Sequence, residues 1–117
     1  IYAVEPTMGA MEAAGRRELH KQHGIGDGQP LRFLDRSLID DFLTVTDEEA
    51  YYIARRLARE EGIFVGVSSG TSTHGALQVA RMLGKGKRVM CILADTGERY
   101  LETDLWDYDD SELEGVD

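Results

Sequence analysis

Cysteine is nearly absent from this chain, and so is any long apolar run. The one cysteine, Cys91, lies within Val-Met-Cys-Ile-Leu at 89–93 and cannot form an internal disulfide. We therefore interpret it as a core residue, and a reducing cytoplasm is the expected compartment. A membrane span needs about 20 consecutive apolar residues, and no run approaches that length. No secretory signal is visible either, so a membrane is not an expected partner.

Basic residues are too scattered for a nucleic-acid surface. The one cluster, Arg55, Arg56 and Arg59, lies where the end of a helix favours cations and is expected to face water. The net charge is -9, but residues 100–117 hold eight acids and no base, which leaves 14 acids against 13 basic residues over 1–99. The negative charge therefore belongs to the C-terminal end.

The composition predicts one small domain with a tail. At 117 residues and 42% hydrophobic content, the chain has enough apolar material for a modest core. Its first residues, Ile-Tyr-Ala-Val, are typical of an interior strand, so we expect the biological N-terminus to lie elsewhere. Residues 106–117 are predicted to be an acidic tail, disordered beyond residue 110. The alternative is that the aromatic residues of 105–110 pack on a sister subunit.

Alternating strands and helices predict a parallel sheet with crossover helices. Strands are predicted at 2–4, 42–45, 63–65 and 88–93, the last buried on both faces. Thr46 and Glu49 form a capping box for a helix that stops at Gly62, with an apolar stripe at Ala50, Ile53, Ala54, Leu57 and Ala58. Further helices are predicted near 8–17 and at 71–83.

Three segments carry small residues where a ligand could approach. They are Gly-Ile-Phe-Val-Gly-Val-Ser-Ser-Gly-Thr-Ser at 62–72, Ile-Leu-Ala-Asp-Thr-Gly-Glu-Arg-Tyr-Leu at 92–101, and His-Lys-Gln-His-Gly-Ile-Gly-Asp-Gly at 20–28. Together they resemble the C-terminal part of the cysteine synthase and cystathionine β-synthase family of pyridoxal-phosphate enzymes. The resemblance spans nearly all of residues 1–105. It implies an α/β fold in which a parallel sheet with flanking helices forms part of the large domain of a fold-type II, tryptophan synthase β-like enzyme.

The resemblance assigns site residues to the three segments. Ser68 matches the serine that hydrogen-bonds the pyridine nitrogen of pyridoxal 5'-phosphate, whereas Ser69 is expected to cap a helix. Asp95 and Thr96 are expected to lie close to the cofactor, on a loop where relatives often carry proline at the position of Ala94. The glycine segment, Gly24, Ile25 and Gly26, is expected to line the amino-acid substrate.

The three histidines and Lys21 are not assigned to the site. His20 and His23 could share a metal, but no acid or cysteine is spaced convincingly around them, so no metal is expected. Lys21 has nothing around it that suggests a desolvated amine and is not taken as the cofactor lysine. His74 is interpreted as a core or surface histidine.

The family's cofactor lysine and phosphate loop lie N-terminal to anything present in this chain. No catalytic residue is therefore assigned here, residues 1–105 are expected to be part of a longer cofactor-binding domain, and the chain alone is expected to be inactive. The implied reaction joins O-acetylserine and sulfide to give L-cysteine, in a homodimer. Cystathionine β-synthase with a thiol acceptor, O-phosphoserine sulfhydrylase, and a catalytically silent binding module stay open as alternatives.

Overall fold

The computed structural model describes residues 1–107 and 111. Two parallel strands, β1 (Tyr2–Pro6) and β2 (Asp41–Val45), pair in the register Tyr2 with Asp41 through Pro6 with Val45. Helix α1 (Met11–Ala14) and a 3-10 helix (Arg36–Leu38) lie on the crossover between them. This confirms the predicted α/β arrangement, although α1 is shorter than the helix expected at 8–17.

Helix α2 (Asp47–Glu61) has the boundaries that its sequence predicts. The Thr46 hydroxyl accepts a bond from the Glu49 N–H at 3.2 Å, and the Glu49 carboxylate accepts one from the Thr46 N–H at 2.9 Å. The helix ends at Gly62, whose φ of 69° is left-handed and suits glycine. The capping box and the stop are both confirmed.

Helix α3 (Val67–Leu83) begins four residues earlier than predicted and packs against α2. Gly66 precedes it, and no side chain of the described residues caps it. The helix ends at Gly84. The prediction that Ser69 caps the helix is wrong: Ser69 lies within the first turn, and its buried hydroxyl has no partner among the described residues.

The predicted strand at 63–65 is reduced to one antiparallel bridge between Val65 and Thr96. The predicted strand at 88–93 is absent: the described residues give this segment no backbone hydrogen bond, and Met90 and Ile92 are 88% and 69% exposed. Cys91, expected in the core, is half-buried. A strand needs a neighbour for its N–H and C=O groups, and no described strand lies beside this segment.

The core lies where β2, α2 and α3 meet the C-terminal segment. It comprises Val45, Ala50, Tyr51, Ala54, Val67, Tyr100 and Leu105. Two further 3-10 helices, Gly97–Tyr100 and Asp104–Trp106, bring in its last two members. Trp106 packs on Phe64 at 4.7 Å between ring centres and donates from its indole nitrogen to the Gly97 carbonyl at 3.0 Å. The disorder predicted beyond residue 110 lies outside the described residues, apart from Ser111.

Arg55 corrects the expectation that all three arginines of α2 face water. Its side chain is buried, and its guanidinium donates to the carbonyls of Leu105 at 2.5 Å and Asp104 at 2.9 Å. The donors of one guanidinium are fixed in a fork, which lets a single arginine bind several carbonyls of the same turn. Arg55 therefore attaches the C-terminal segment to α2.

Candidate functional site

Ser68 lies on the first turn of α3, two residues after Gly66. Its side chain is half-buried, and the described residues provide no hydrogen-bond partner for its hydroxyl. Helix N-termini leave backbone N–H groups unpaired and carry a partial positive charge. The Ser68 hydroxyl is therefore a polar group held at the mouth of a helix and available to a ligand.

The loop that carries Asp95 and Thr96 is held against the start of α3. Thr96 bridges Val65, and the Gly97 N–H donates to the Phe64 carbonyl at 3.1 Å. A Cβ added at Gly66 would lie 2.1 Å from Asp95 Oδ1, so the carboxylate packs directly on the backbone there. Only glycine leaves room for this approach. The loop and the helix mouth therefore form one surface.

Within the described part of the chain, Asp95 is bonded through one carboxylate oxygen. Its Oδ2 accepts a hydrogen bond from the Tyr100 hydroxyl and lies 3.6 Å from Arg99, whereas its buried Oδ1 has no partner among the described residues. Burial and the Asp95 carboxylate together raise the pKa of Tyr100 to about 12. Tyr100 therefore stays a neutral donor to Asp95 at physiological pH.

Tyr100 connects this surface to the glycine segment. Its ring stacks on that of His23, with ring centres 5.9 Å apart, and His23 directly precedes Gly24. The three predicted segments are therefore brought together by a chain of contacts from Gly66 through Asp95 and Tyr100 to His23.

The glycine segment depends on backbone angles that other residues rarely adopt. Gly24 and Gly26 have φ values of +88° and +60°, and a Cβ at Gly26 would lie 2.8 Å from the ring of Pro6 at the end of β1. His20 Nε2 contacts the Gly26 carbonyl at 2.7 Å. The segment lines a cleft of about 220 Å³ with Ile25 half-buried in its wall. The cleft lies at the carboxyl end of β1, and ligands bind at the carboxyl ends of the strands in open α/β sheets.

Lys21 is engaged in an ion pair rather than desolvated. Lys21 Nζ lies 2.5 Å from Asp104 Oδ2, and this hydrogen bond and the charge of Asp104 raise the pKa of Lys21. A lysine activated as a nucleophile requires the opposite shift. Among residues 1–107 and 111, no three histidine, cysteine or acidic side chains converge as a metal would require, and none of the described helices is long and apolar enough to cross a membrane.

Sequence reasoning missed Gln22, Tyr100 and Arg55 as residues that hold the site together. Gln22 is wholly buried although its neighbours Lys21 and His23 are exposed. A glutamine in a glycine-rich loop carries no signal of burial, because its partners lie far away in the sequence. For Tyr100, the sequence does carry a signal, because an aromatic ring near the end of the 92–101 motif is a candidate for packing against the site.

Known proteins match this chain along most of its length. Residues 1–95 match the family described as pyridoxal-phosphate dependent enzyme. A probable cysteine synthase of Bacillus subtilis is 42% identical over 108 residues, which are 92% of this chain and 35% of that protein. Among solved structures, the cysteine synthase of Entamoeba histolytica superposes with a TM-score of 0.90 at 32% identity, over 99% of this chain and 34% of its own.

An O-ureido-L-serine synthase superposes with a TM-score of 0.86 at 42% identity, over 99% of this chain and 36% of its own. The chain thus spans about a third of the length of each of these relatives. The family match covers most of the chain, and the solved relatives share its fold. The chain belongs to the family of pyridoxal-phosphate-dependent enzymes.

Proposed function

We propose that the protein containing this chain is a pyridoxal-phosphate-dependent enzyme that makes L-cysteine from O-acetylserine and sulfide. The observation that carries the proposal is the half-buried Ser68 hydroxyl, which has no protein partner among the described residues and lies at the mouth of α3 beside the Asp95 loop. Relatives named cysteine synthase, at about 40% identity, support the choice of reaction.

The residues present fit such a cofactor. Besides Ser68, the buried Ser69 Oγ and Asp95 Oδ1 lack partners among the described residues. A buried polar atom without a partner costs about 1–3 kcal/mol, so such atoms near one helix mouth favour a bound polar group. In this proposal Ser68 binds the ring nitrogen, while Asp95 and Thr96 line the cofactor.

Pyridoxal phosphate, when bound, supplies an electron sink for bond breaking at the α-carbon of an amino acid. Ser68 would tune that sink, because a neutral hydroxyl leaves the ring nitrogen largely unprotonated whereas a carboxylate would hold a proton there. A weaker sink favours loss of a β-substituent over transamination or racemisation. The backbone of Gly24, Ile25 and Gly26 would bind the amino acid at close range.

The proton transfers at the substrate are assigned to no residue of this chain. Of its three lysines, Lys21 is engaged with Asp104, and Lys85 and Lys87 lie exposed beyond the C-terminal end of α3. We therefore expect the isolated 117-residue chain to form no L-cysteine. Detectable turnover by the purified chain would contradict this expectation.

The first experiment records the visible absorption of the protein that contains this chain, before and after O-acetylserine, and then assays L-cysteine after sulfide is added. The proposal predicts a cofactor band, its change with O-acetylserine, and L-cysteine as product. A cofactor band that does not change with O-acetylserine but changes with serine or O-phosphoserine would show that one of these is the substrate instead. No band at all would favour the silent binding module.

Ser68→Ala tests the assigned role directly. Loss of one hydrogen bond to the cofactor is expected to lower kcat about tenfold or more while the cofactor stays bound. Ser72→Ala is the matched control, because Ser72 lies one turn further along α3 and is also half-buried. Equal activity in the Ser68 and Ser72 variants would remove Ser68 from the site.

We also propose that the protein is a cytoplasmic homodimer. Support for self-association comes from the crossover between β1 and β2, where Leu19, Leu31 and Phe33 are 97%, 60% and 100% exposed. Sedimentation of wild type and Phe33→Glu tests it. Wild type should sediment as a dimer, and the variant should dissociate into monomers at a higher protein concentration than wild type does. A monomeric wild type would refute the dimer.

A further inference from the structure

Gln22 is buried within a loop whose other polar side chains are largely exposed. Its side chain has 0% exposure and uses both ends of the amide. Nε2 donates to the Val45 carbonyl at 2.9 Å and to Asp47 Oδ1 at 2.9 Å, and Oε1 accepts from Thr71 Oγ1 at 2.6 Å. Both amide protons are therefore used, which is the condition for burying such a group without a large penalty.

The three partners of Gln22 belong to three different elements. Val45 ends β2, Asp47 begins α2, and Thr71 lies on α3 one turn after Ser68. Thr71 Oγ1 also lies 3.3 Å from the Val67 carbonyl, so the hydroxyl that binds Gln22 is fixed to the first turn of α3. One side chain thus connects the glycine segment to the helix that carries Ser68.

The backbone of Gln22 fixes a second anchor of the same segment. Its N–H donates to His20 Nδ1 at 3.1 Å, which makes Nδ1 an acceptor. His20 Nε2 must then carry the ring proton that it donates to the Gly26 carbonyl at 2.7 Å. Only the neutral Nε2–H tautomer satisfies both contacts. Gln22 therefore holds the segment from its side chain and, through His20, from its backbone.

Such anchors matter because the glycine segment has little stiffness of its own. Gly24, Gly26 and Gly28 all adopt left-handed φ values, and glycine gives up more conformational freedom on ordering than any other residue. A segment of this kind stays in one conformation only if its surroundings hold it there.

We propose that Gln22 is a positioning residue, which fixes the substrate-binding backbone of Gly24, Ile25 and Gly26 relative to Ser68. This inference rests on the proposed function, since it assigns the substrate to the glycine segment. Gln22 touches neither substrate nor cofactor in this proposal. Its loss should therefore weaken substrate binding more than it slows the bound complex.

The test compares Gln22→Met with Gln29→Met in the protein that contains this chain. Methionine keeps the length of the side chain but removes all three hydrogen bonds, and Gln29 is an exposed residue of the same loop. For Gln22→Met we expect KM for O-acetylserine to rise about tenfold with a smaller change in kcat, and the cofactor absorption band to persist. For Gln29→Met, KM and kcat should match wild type.

Hydrogen exchange of the cofactor-free protein provides a readout that does not depend on turnover. Amides of residues 23–28 should exchange about tenfold faster in Gln22→Met than in wild type, while those in the middle of α2 should not change. Equal acceleration of the segment and α2 would show that Gln22 only stabilises the fold, and would overturn the proposal. Unchanged exchange at 23–28 would overturn it as well.

Thr71→Val covers the case in which Gln22→Met folds poorly, because valine removes one hydrogen bond at nearly constant shape. It should raise KM less than Gln22→Met does, and the double variant should be no worse than Gln22→Met alone. Additive effects would overturn the proposal. An inactive wild type would refute the proposed function, whereas an active wild type with an unchanged KM in Gln22→Met would refute the positioning role alone.

Discussion

Substituting Gly70 by alanine should destabilise this fold although alanine is the better helix former. Gly70 is buried on α3 where that helix crosses α2. An added Cβ would lie 2.0 Å from the carbonyl oxygen of Ala50 and 3.1 Å from the nitrogen of Ala54. Both are backbone atoms of α2, so neither can rotate away. The two helices must move apart instead.

The loss in free energy of unfolding depends on how far the two helices must move apart. Carbon and oxygen atoms rarely approach within about 3.3 Å, so the helices must separate locally by about 1 Å. A gap of that size forfeits a quarter to a half of each dispersion contact, and Ala50, Ala54 and Val67 are 0% exposed at this interface. Overpacking costs about 1–3 kcal/mol, and the gain in helix propensity returns about 1 kcal/mol. Because the obstacle is backbone, we expect a net loss of about 2 kcal/mol.

Gly75→Ala is the matched control on the same helix. Its Cβ would meet a methyl group of Val4 at 2.7 Å, and a valine side chain can shift where a backbone carbonyl cannot. Packing cost and helix propensity should then nearly cancel, at about 0.5 kcal/mol or less. Urea denaturation followed by circular dichroism measures both values. A Gly70→Ala variant as stable as Gly75→Ala would refute the reasoning.

Three further predictions concern single contacts. The phenol of Tyr100 titrates near pH 12 rather than 10, so its stabilising bond to Asp95 is fully present below pH 10 and lost as the pH rises towards 12. Ultraviolet titration should detect this, and Asp95→Asn should lower the pKa only in part, because burial of the phenol also raises it. Thr46→Ala should lower the free energy of unfolding by about 1 kcal/mol, and Thr46→Ser much less; equal losses would contradict the cap. Arg55→Lys should speed hydrogen exchange at 104–106, since an ammonium cannot reproduce the donors of a guanidinium; unchanged exchange would show that the arginine does not hold this segment.

Helix α2 could be predicted from the sequence because every signal that defines it is local. The capping box joins residues three apart, the apolar stripe repeats within the helix, and Gly62 ends it through its own φ value. Helix α3 gives no comparable signal at its start. Gly66 offers no capping side chain, and Val67 begins the helix because its side chain is wholly buried in the core. Tertiary packing set that boundary, and local sequence could not reveal it.

The segment at 88–93 shows the opposite case, in which a local preference for strand did not decide the structure. Val89, Cys91 and Ile92 have the composition of a buried strand, yet Ile92 is 69% exposed. Strand propensity reflects the fit of a side chain to neighbouring strands rather than a preference of the backbone. Without a described neighbour, the pattern has nothing to pair with.

The candidate site depends both on local sequence signals and on tertiary contacts. Glycine at 24 and 26 is required by backbone angle, and glycine at 66 by the close approach of Asp95, so the small residues mark the site within the sequence itself. The contacts that unite these positions run through Tyr100 and Gln22, whose partners no local pattern identifies. A sequence can therefore show which segments a ligand approaches, whereas the side chains that fix those segments relative to one another emerge only from the fold. Variants of Gln22 and Tyr100 consequently test the contacts found in the fold. Variants of Ser68 test the cofactor-binding role that the family resemblance assigns to it.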